Sequence, residues 1–235
     1  MDAIHINWTK PSRNRFNAPY EVEDFEILTT ILSALKWREK NGNIKMVTDS
    51  VGAQYYKKTG LDVIWNSVEI ILDNVDVSKQ NAIKYAFVNS KLLLIYGAAG
   101  TGKTTLINYI SSLLPKAKKL FLTKTHTAIQ HLKRRIDNPG NGSEFISFDS
   151  FTRKVELPDY DIIFVDECSI IDNFTMLKFV NKISEDSLIV LAGDVNQIES
   201  IDFGNWFYYA KDIITTQGAN VELLDTWRTQ EENLL

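Results

Sequence analysis

Residues Gly97-Ala-Ala-Gly-Thr-Gly-Lys103-Thr104 match G-x-x-x-x-G-K-[ST] in full. Each part of that spacing has a physical task. Glycines at 97, 100 and 102 let the chain turn tightly, so that consecutive N–H groups converge on phosphate oxygens at the positive end of the helix that follows. Lys103 neutralises the outer phosphates, and the Thr104 hydroxyl is a ligand for Mg²⁺. The expected ligands are ATP and Mg²⁺, held by Gly97, Ala98, Ala99, Gly100, Thr101, Gly102, Lys103, Thr104 and Thr105.

A second chemical signal stands 63 residues after Lys103, where the apolar run Ile162–Val165 leads into Asp166-Glu167. A carboxylate at the carboxyl end of a buried strand lies where open α/β sheets bind their ligands. Asp166 is expected to hold Mg²⁺, usually through water, and Glu167 to take the proton of the attacking water. Further on, Gly193-Asp-Val-Asn-Gln197 offers an amide that can reach a terminal phosphate or its water. Arg228 could stabilise charge on the equatorial oxygens, and the bidentate amide of Gln80 could read adenine. The expected catalytic set is therefore Lys103, Glu167, Gln197 and Arg228, with Thr104 and Asp166 at the metal.

These residues need elements to position them. Five short apolar runs (Leu92–Tyr96, Lys119–Leu122, Ile162–Val165, Leu188–Ala192, Val221–Leu224) read as strands buried on both faces of a parallel sheet. Helical patterns lie between them, notably Thr104–Leu114 with Leu106, Ile107, Ile110, Leu113 and Leu114 in phase. The alternation predicts an α/β fold with crossover helices. A seam near Asn74–Ser78 sets off residues 1–75 as a small α/β segment from an ATPase domain over 76–235. The first segment has strands at Ile4–Trp8 and Ile44–Thr48, a helix over Val22–Trp37 and a short helix at Gly52–Lys58. Ser78 is placed to cap a further helix with Ala82, Ile83, Ala86 and Phe87 on one face.

With 44% hydrophobic and 24% charged residues, the 235-residue chain has the make-up of a globular protein with a real core. No apolar run reaches the 18 residues of a membrane span, and the first residues lack a signal-peptide pattern, so the expected location is cytoplasmic. The lone Cys168 excludes an internal disulfide and a cysteine zinc site. Net charge is −4, but seven basic and no acidic residues fall between Lys116 and Arg135. Between Glu156 and Asp202 the balance is reversed, eleven acidic against two basic.

In their order, these motifs resemble superfamily 1 helicases, nearest the RecD-like and phage Dda-type groups, over about Val77 to Arg228. Val77–Ile83 resembles the family's adenine-reading glutamine motif, and Asp166-Glu-Cys-Ser169 its Walker B motif. Gly193–Gln197 resembles motif III, although Glu199 stands where the family usually has proline, and Leu224–Arg228 resembles motif IV. Thr123-Lys-Thr-His-Thr-Ala128 resembles motif Ia, which in the family contacts single-stranded DNA. Ser147–Phe151 sits where the family has another strand-contacting segment, without its usual Thr-x-His. The resemblance implies a RecA-like P-loop domain, the first motor domain of a DNA helicase. It implies weak binding of single-stranded DNA by Thr125, His126, Lys133, Arg134 and Phe151, with Phe148 or Phe151 stacking on bases. It also implies a partner, a second RecA-like domain, which is expected to be missing from a chain that ends at Leu235.

Trp8–Pro11, Leu28–Trp37, Asn41–Asp49 and Gly52–Tyr56 loosely resemble the start of a glycosyltransferase-A-like family linked to polysaccharide synthesis, without an Asp-x-Asp metal motif. The alternative function is thus a nucleotide-sugar enzyme fragment, or a scaffold carrying an idle P-loop.

Overall fold

The computed structural model describes residues 22–40, 90–112, 117–194, 204–214 and 219–224. The elements expected at Ile4–Trp8, Ile44–Thr48, Gly52–Lys58 and after Ser78 lie outside these residues. The first described element is α1 (Val22–Lys40). It is followed by β1 (Leu92–Gly97), α2 (Lys103–Ser112), β2 (Lys119–Thr123), α3 (His126–Arg135), β3 (Glu144–Ser147) and α4 (Phe148–Arg153). Then come β4 (Ile162–Val165), a 3₁₀ turn at Cys168–Ile170, α5 (Asn173–Lys182), β5 (Leu188–Gly193), α6 (Trp206–Ile213) and β6 (Asn220–Leu223).

The six strands form one parallel sheet in the order β3-β2-β4-β5-β1-β6. Because successive side chains alternate across a strand, each run feeds both faces. Leu92, Leu94, Ile163, Val165, Ile189 and Leu191 join the core beneath α1, α5 and α6. Leu93, Ile95, Ile162, Phe164, Val190 and Ala192 pack with Leu106, Ile107 and Ile110 of α2 and Leu132 of α3. On this second face Phe145, Phe121 and Phe164 stand in register across β3, β2 and β4, their rings stacked at 4.4 and 4.9 Å. The α/β fold with a parallel sheet is as expected, and the five predicted strands are present with ends shifted by a residue or so. The sixth, β3, is an addition: it is short, half-exposed and at the sheet edge, so it lacks the apolar run that marks the others.

Helix α1 falls within the expected 1–75 segment, yet Leu28, Ile31, Leu32 and Leu35, all at most 1% exposed, belong to the same core as the sheet. Its end is fastened as well. The Arg38 guanidinium donates to the Ser184 and Ser187 carbonyls at 2.8 and 2.9 Å, just past α5, and Lys91 N donates to Arg38 O at 3.0 Å. Separation of an N-terminal unit therefore does not extend to this helix. Among the described residues, no helix is long and apolar enough to cross a membrane.

Candidate functional site

The loop between β1 and α2 carries the first chemistry. Gly100 and Gly102 take φ of 84° and 90°, left-handed conformations that L side chains avoid. Gly97 is needed for a different reason. A Cβ there would lie 2.5 Å from the Leu223 carbonyl oxygen of β6 and 2.8 Å from Thr101 Oγ1. Thr101 fixes the turn by donating its hydroxyl to Ala98 O at 2.9 Å. Ala98, Ala99 and Thr105 are exposed around it.

Lys103 folds back over the loop and donates to Gly97 O and Ala98 O, both at 2.7 Å. Burial lowers the pKa of this ammonium, against the raising influence of Asp194, Asp166, Cys168 and Glu167. An ammonium hydrogen-bonded to carbonyl oxygens and partly desolvated gains by meeting phosphate oxygens.

Strand β4 brings the carboxylates to the same edge. Asp166 Oδ2 accepts the Thr104 hydroxyl at 3.0 Å, and Oδ1 accepts Glu167 N at 2.9 Å. Its backbone N–H is also tied, to Leu122 O at 2.9 Å. Burial raises the Asp166 pKa, opposed by the Thr104 and Glu167 hydrogen bonds and the charges of Lys103 and Arg135. One hydroxyl and one carboxylate within a hydrogen bond of each other suit Mg²⁺, which takes few protein oxygens and completes its octahedron with water and phosphate. The loop fits phosphates in the same way: its glycines at 100 and 102 hold the left-handed turns that point backbone N–H groups inward.

Glu167 follows in the left-handed region (φ 55°, ψ 35°), the one non-glycine residue with positive φ among those described. Such strain persists where the surroundings enforce it, often at functional sites. Its carboxyl has a raised pKa, through desolvation first and the Asp166 charge second, while His131, Lys103 and Arg135 lower it. His131 and Arg135 are thus close enough to act electrostatically on the carboxylates. The motif pattern gave no sign of this pair; their i, i+4 spacing on α3 was the available signal. The turn after Glu167 reaches the next strand end, because Asp194 N donates to Ser169 Oγ at 3.2 Å. Gln80, Gln197 and Arg228 lie outside the described residues.

The segment expected to meet DNA is split by the fold. Thr125 caps α3, its Oγ1 accepting from Ala128 N at 3.2 Å, and Thr125 and His126 are exposed. Lys133 and Arg134 are exposed in the last turn of the same helix, about 12 Å along its axis from His126. Not all of the basic run is surface. Lys119 is fully buried, donating to Ser111 O and Pro139 O at 2.8 Å each, and burial lowers its pKa to about 8. The stacking role expected of Phe151 and Phe148 is corrected by the structure. They are 0% and 1% exposed and pack with Phe179 at ring separations of 5.5 and 5.6 Å, so neither has a face free for a base.

Residues 75–235 match the family model described as an AAA domain. The chain is 28% identical over 163 residues to the RecBCD enzyme subunit RecD of Buchnera aphidicola subsp. Acyrthosiphon pisum (strain APS), covering 56% of this chain and 27% of that protein. It is 25% identical over 146 residues to an uncharacterised protein of Methanocaldococcus jannaschii, covering 52% of this chain and 12% of the relative. Solved structures with a similar fold include Bacteroides Pif1 bound to single-stranded DNA (15% identity, TM-score 0.42, 66% of this chain and 42% of that one). Another is Pif1 helicase from Candida albicans (17% identity, TM-score 0.41, 68% and 42%). The chain spans about a quarter of RecD's length. The glycosyltransferase-like reading gains no support from any of these. Of its segments only Leu28–Trp37 is among the described residues, and it is a helix in the core of the sheet domain. With their phosphate loop, paired carboxylates and parallel sheet, residues 75–235 place the chain in the AAA domain family.

Proposed function

We propose that this chain is the ATP-hydrolysing half of a DNA motor, acting in the cytoplasm on single-stranded DNA. The observation that supports it most is the Thr104–Asp166 hydrogen bond of 3.0 Å. It joins the phosphate loop to the Walker B strand and leaves Glu167 beside them on a strained turn. In this reading Lys103 leaves the Gly97 and Ala98 carbonyls for the outer phosphates of ATP. Thr104 and Asp166 would hold Mg²⁺. When bound, the metal would screen the triphosphate and align its terminal group. Glu167 takes the proton from the attacking water. Gln80 reads adenine, Gln197 orients the water or terminal phosphate, and Arg228 spreads charge from the equatorial oxygens. Thr125 and His126 contact the strand, with Lys133 and Arg134 adding phosphate contacts. A second RecA-like unit, in the same longer chain or in a partner, closes the nucleotide site and supplies the rest of the track.

Calorimetry and steady-state hydrolysis with and without oligonucleotide test this. The parent should bind Mg·ATP and hydrolyse it slowly, faster with single-stranded DNA, and Lys103→Ala should lose the binding. Equal ATP affinity in parent and variant would overturn the nucleotide assignment. A rate indifferent to DNA would overturn the motor.

A further inference from the structure

With Phe148 and Phe151 buried, a different aromatic at the carboxyl edge of the sheet faces outward. Phe174 is 55% exposed, in the first turn of α5, two residues beyond the Asp172 N-cap. Its ring carries the Lys178 ammonium 4.1 Å from the centroid, an i, i+4 contact that lays the lysine along the helix. Its position relative to the motif Ia segment is also fixed. Asp172 Oδ2 accepts from Lys124 Nζ at 3.1 Å, and Lys124 immediately precedes the exposed Thr125 and His126. Asp172 meanwhile caps α5 through Thr175 N at 2.7 Å, so the aromatic and the strand-facing loop are pinned through one carboxylate.

A phenyl ring more than half in water forfeits hydrophobic stabilisation that burial would provide. Among the described residues, Phe174 makes its ring contact with Lys178. A π-face next to an ammonium, beside exposed Thr and His side chains, matches the chemistry of an unpaired nucleotide. The base can lie on the ring and its phosphate can meet the lysine. Charge complementarity at the spot is modest, because Asp172 pairs with Lys124, while Lys178 is exposed beside the ring. We propose that Phe174 and Lys178 form a base-stacking platform for single-stranded DNA. The inference rests on the DNA-motor reading above and supplies the stacking group that Phe151 cannot be.

Fluorescence anisotropy with a labelled oligothymidylate over a salt series, using the whole chain, tests it. Phe174→Ala should weaken binding roughly 5- to 100-fold at every salt concentration with the log–log slope unchanged, since stacking releases few ions. Phe174→Tyr should restore parental affinity. Lys178→Ala should flatten the slope by about 0.7. Because Phe174 lies on the surface, Phe174→Ala should melt with the parent. A variant that loses binding but also melts early would assign Phe174 to folding and overturn the platform. If the parent binds and Phe174→Ala binds equally well, the platform is wrong and the DNA reading survives. A parent that fails to bind at low salt overturns both.

Discussion

The phosphate loop and the region around Thr125 and Phe174, proposed to face DNA, sit on the same edge of one sheet but are specified in different ways. In the loop, function is built from backbone. Two glycines with positive φ, a third against the Leu223 carbonyl and a lysine folded onto the Gly97 and Ala98 carbonyls leave little choice of arrangement. In the region proposed to face DNA, any contact depends on which side chains happen to reach water, and neighbours in sequence go opposite ways. Phe174 faces out while Asn173 beside it is buried, and Phe179, on the same helix, is in the core. Motif spacing therefore specifies the first region closely and the second only as a neighbourhood.

The largest expected effect belongs to the first region. Glu167→Gln keeps the shape and removes the proposed base, so hydrolysis should fall by roughly 10²–10⁴ while ATP binding survives. The parental rate should also decline toward acid pH earlier than an ordinary glutamate would dictate. Desolvation and the Asp166 charge raise the Glu167 pKa, the active form is the carboxylate, and activity is lost as pH falls through that raised value. Single-turnover measurements across pH check both points. A profile unchanged by Glu167→Gln would assign the base elsewhere.

Next comes the contrast between two phenylalanines. Phe151, fully buried among Phe148 and Phe179, should cost about 3–5 kcal/mol of folding stability when truncated to alanine, through lost packing and the cavity left behind. A denaturant titration reads this directly. Parental stability for Phe151→Ala would mean that the ring is not in the core and could face DNA after all.

Much of this was legible in the sequence, for identifiable reasons. Strands β1, β4 and β5 are buried on both faces, so they are continuous apolar runs that stand out. The loop and the Asp166-Glu167 pair could be placed because a strand end and a phosphate site share one edge. Less legible were features that depend on the third dimension. Edge strand β3 pairs on one side only, through Leu120↔Glu144 to Thr123↔Ser147, and needs no apolar run. The burial of Phe151 follows from α4 packing on α5, and the reach of Arg135 to the carboxylates from the course of α3. Neither is encoded in local spacing.

A smaller effect separates the two roles open to Thr125. As the α3 N-cap it satisfies Ala128 N, so Thr125→Ala should destabilise by about 1 kcal/mol, whatever DNA does. Thr125→Ser retains the capping oxygen and should restore stability. If Thr125 also touches the strand, the alanine variant will lose DNA affinity beyond what a capping change in stability explains, measured well below its melting temperature.

The smallest effect is a slope. Lys133 and Arg134 stand in the last turn of α3, about 12 Å from His126 along the axis, and the chain just past that helix is tied down by Asn108 Nδ2 donating to Asp137 Oδ2 at 2.9 Å. A DNA strand crossing only the loop ahead of α3 would miss both residues, whereas one following the exposed side of the helix would meet them. Each phosphate contact releases counterions and contributes roughly −0.7 to the log–log salt dependence on a single strand. Replacing both residues by alanine should therefore flatten the slope by about 1.4 if the strand follows the helix, with little change in affinity extrapolated to high salt. Arg135 is left in place in that variant because its charge acts on Asp166 and Glu167, and removing it would mix hydrolysis with binding. An unchanged slope would confine the track to Thr125, His126 and their neighbours, and make Lys133 and Arg134 a solvated helix end.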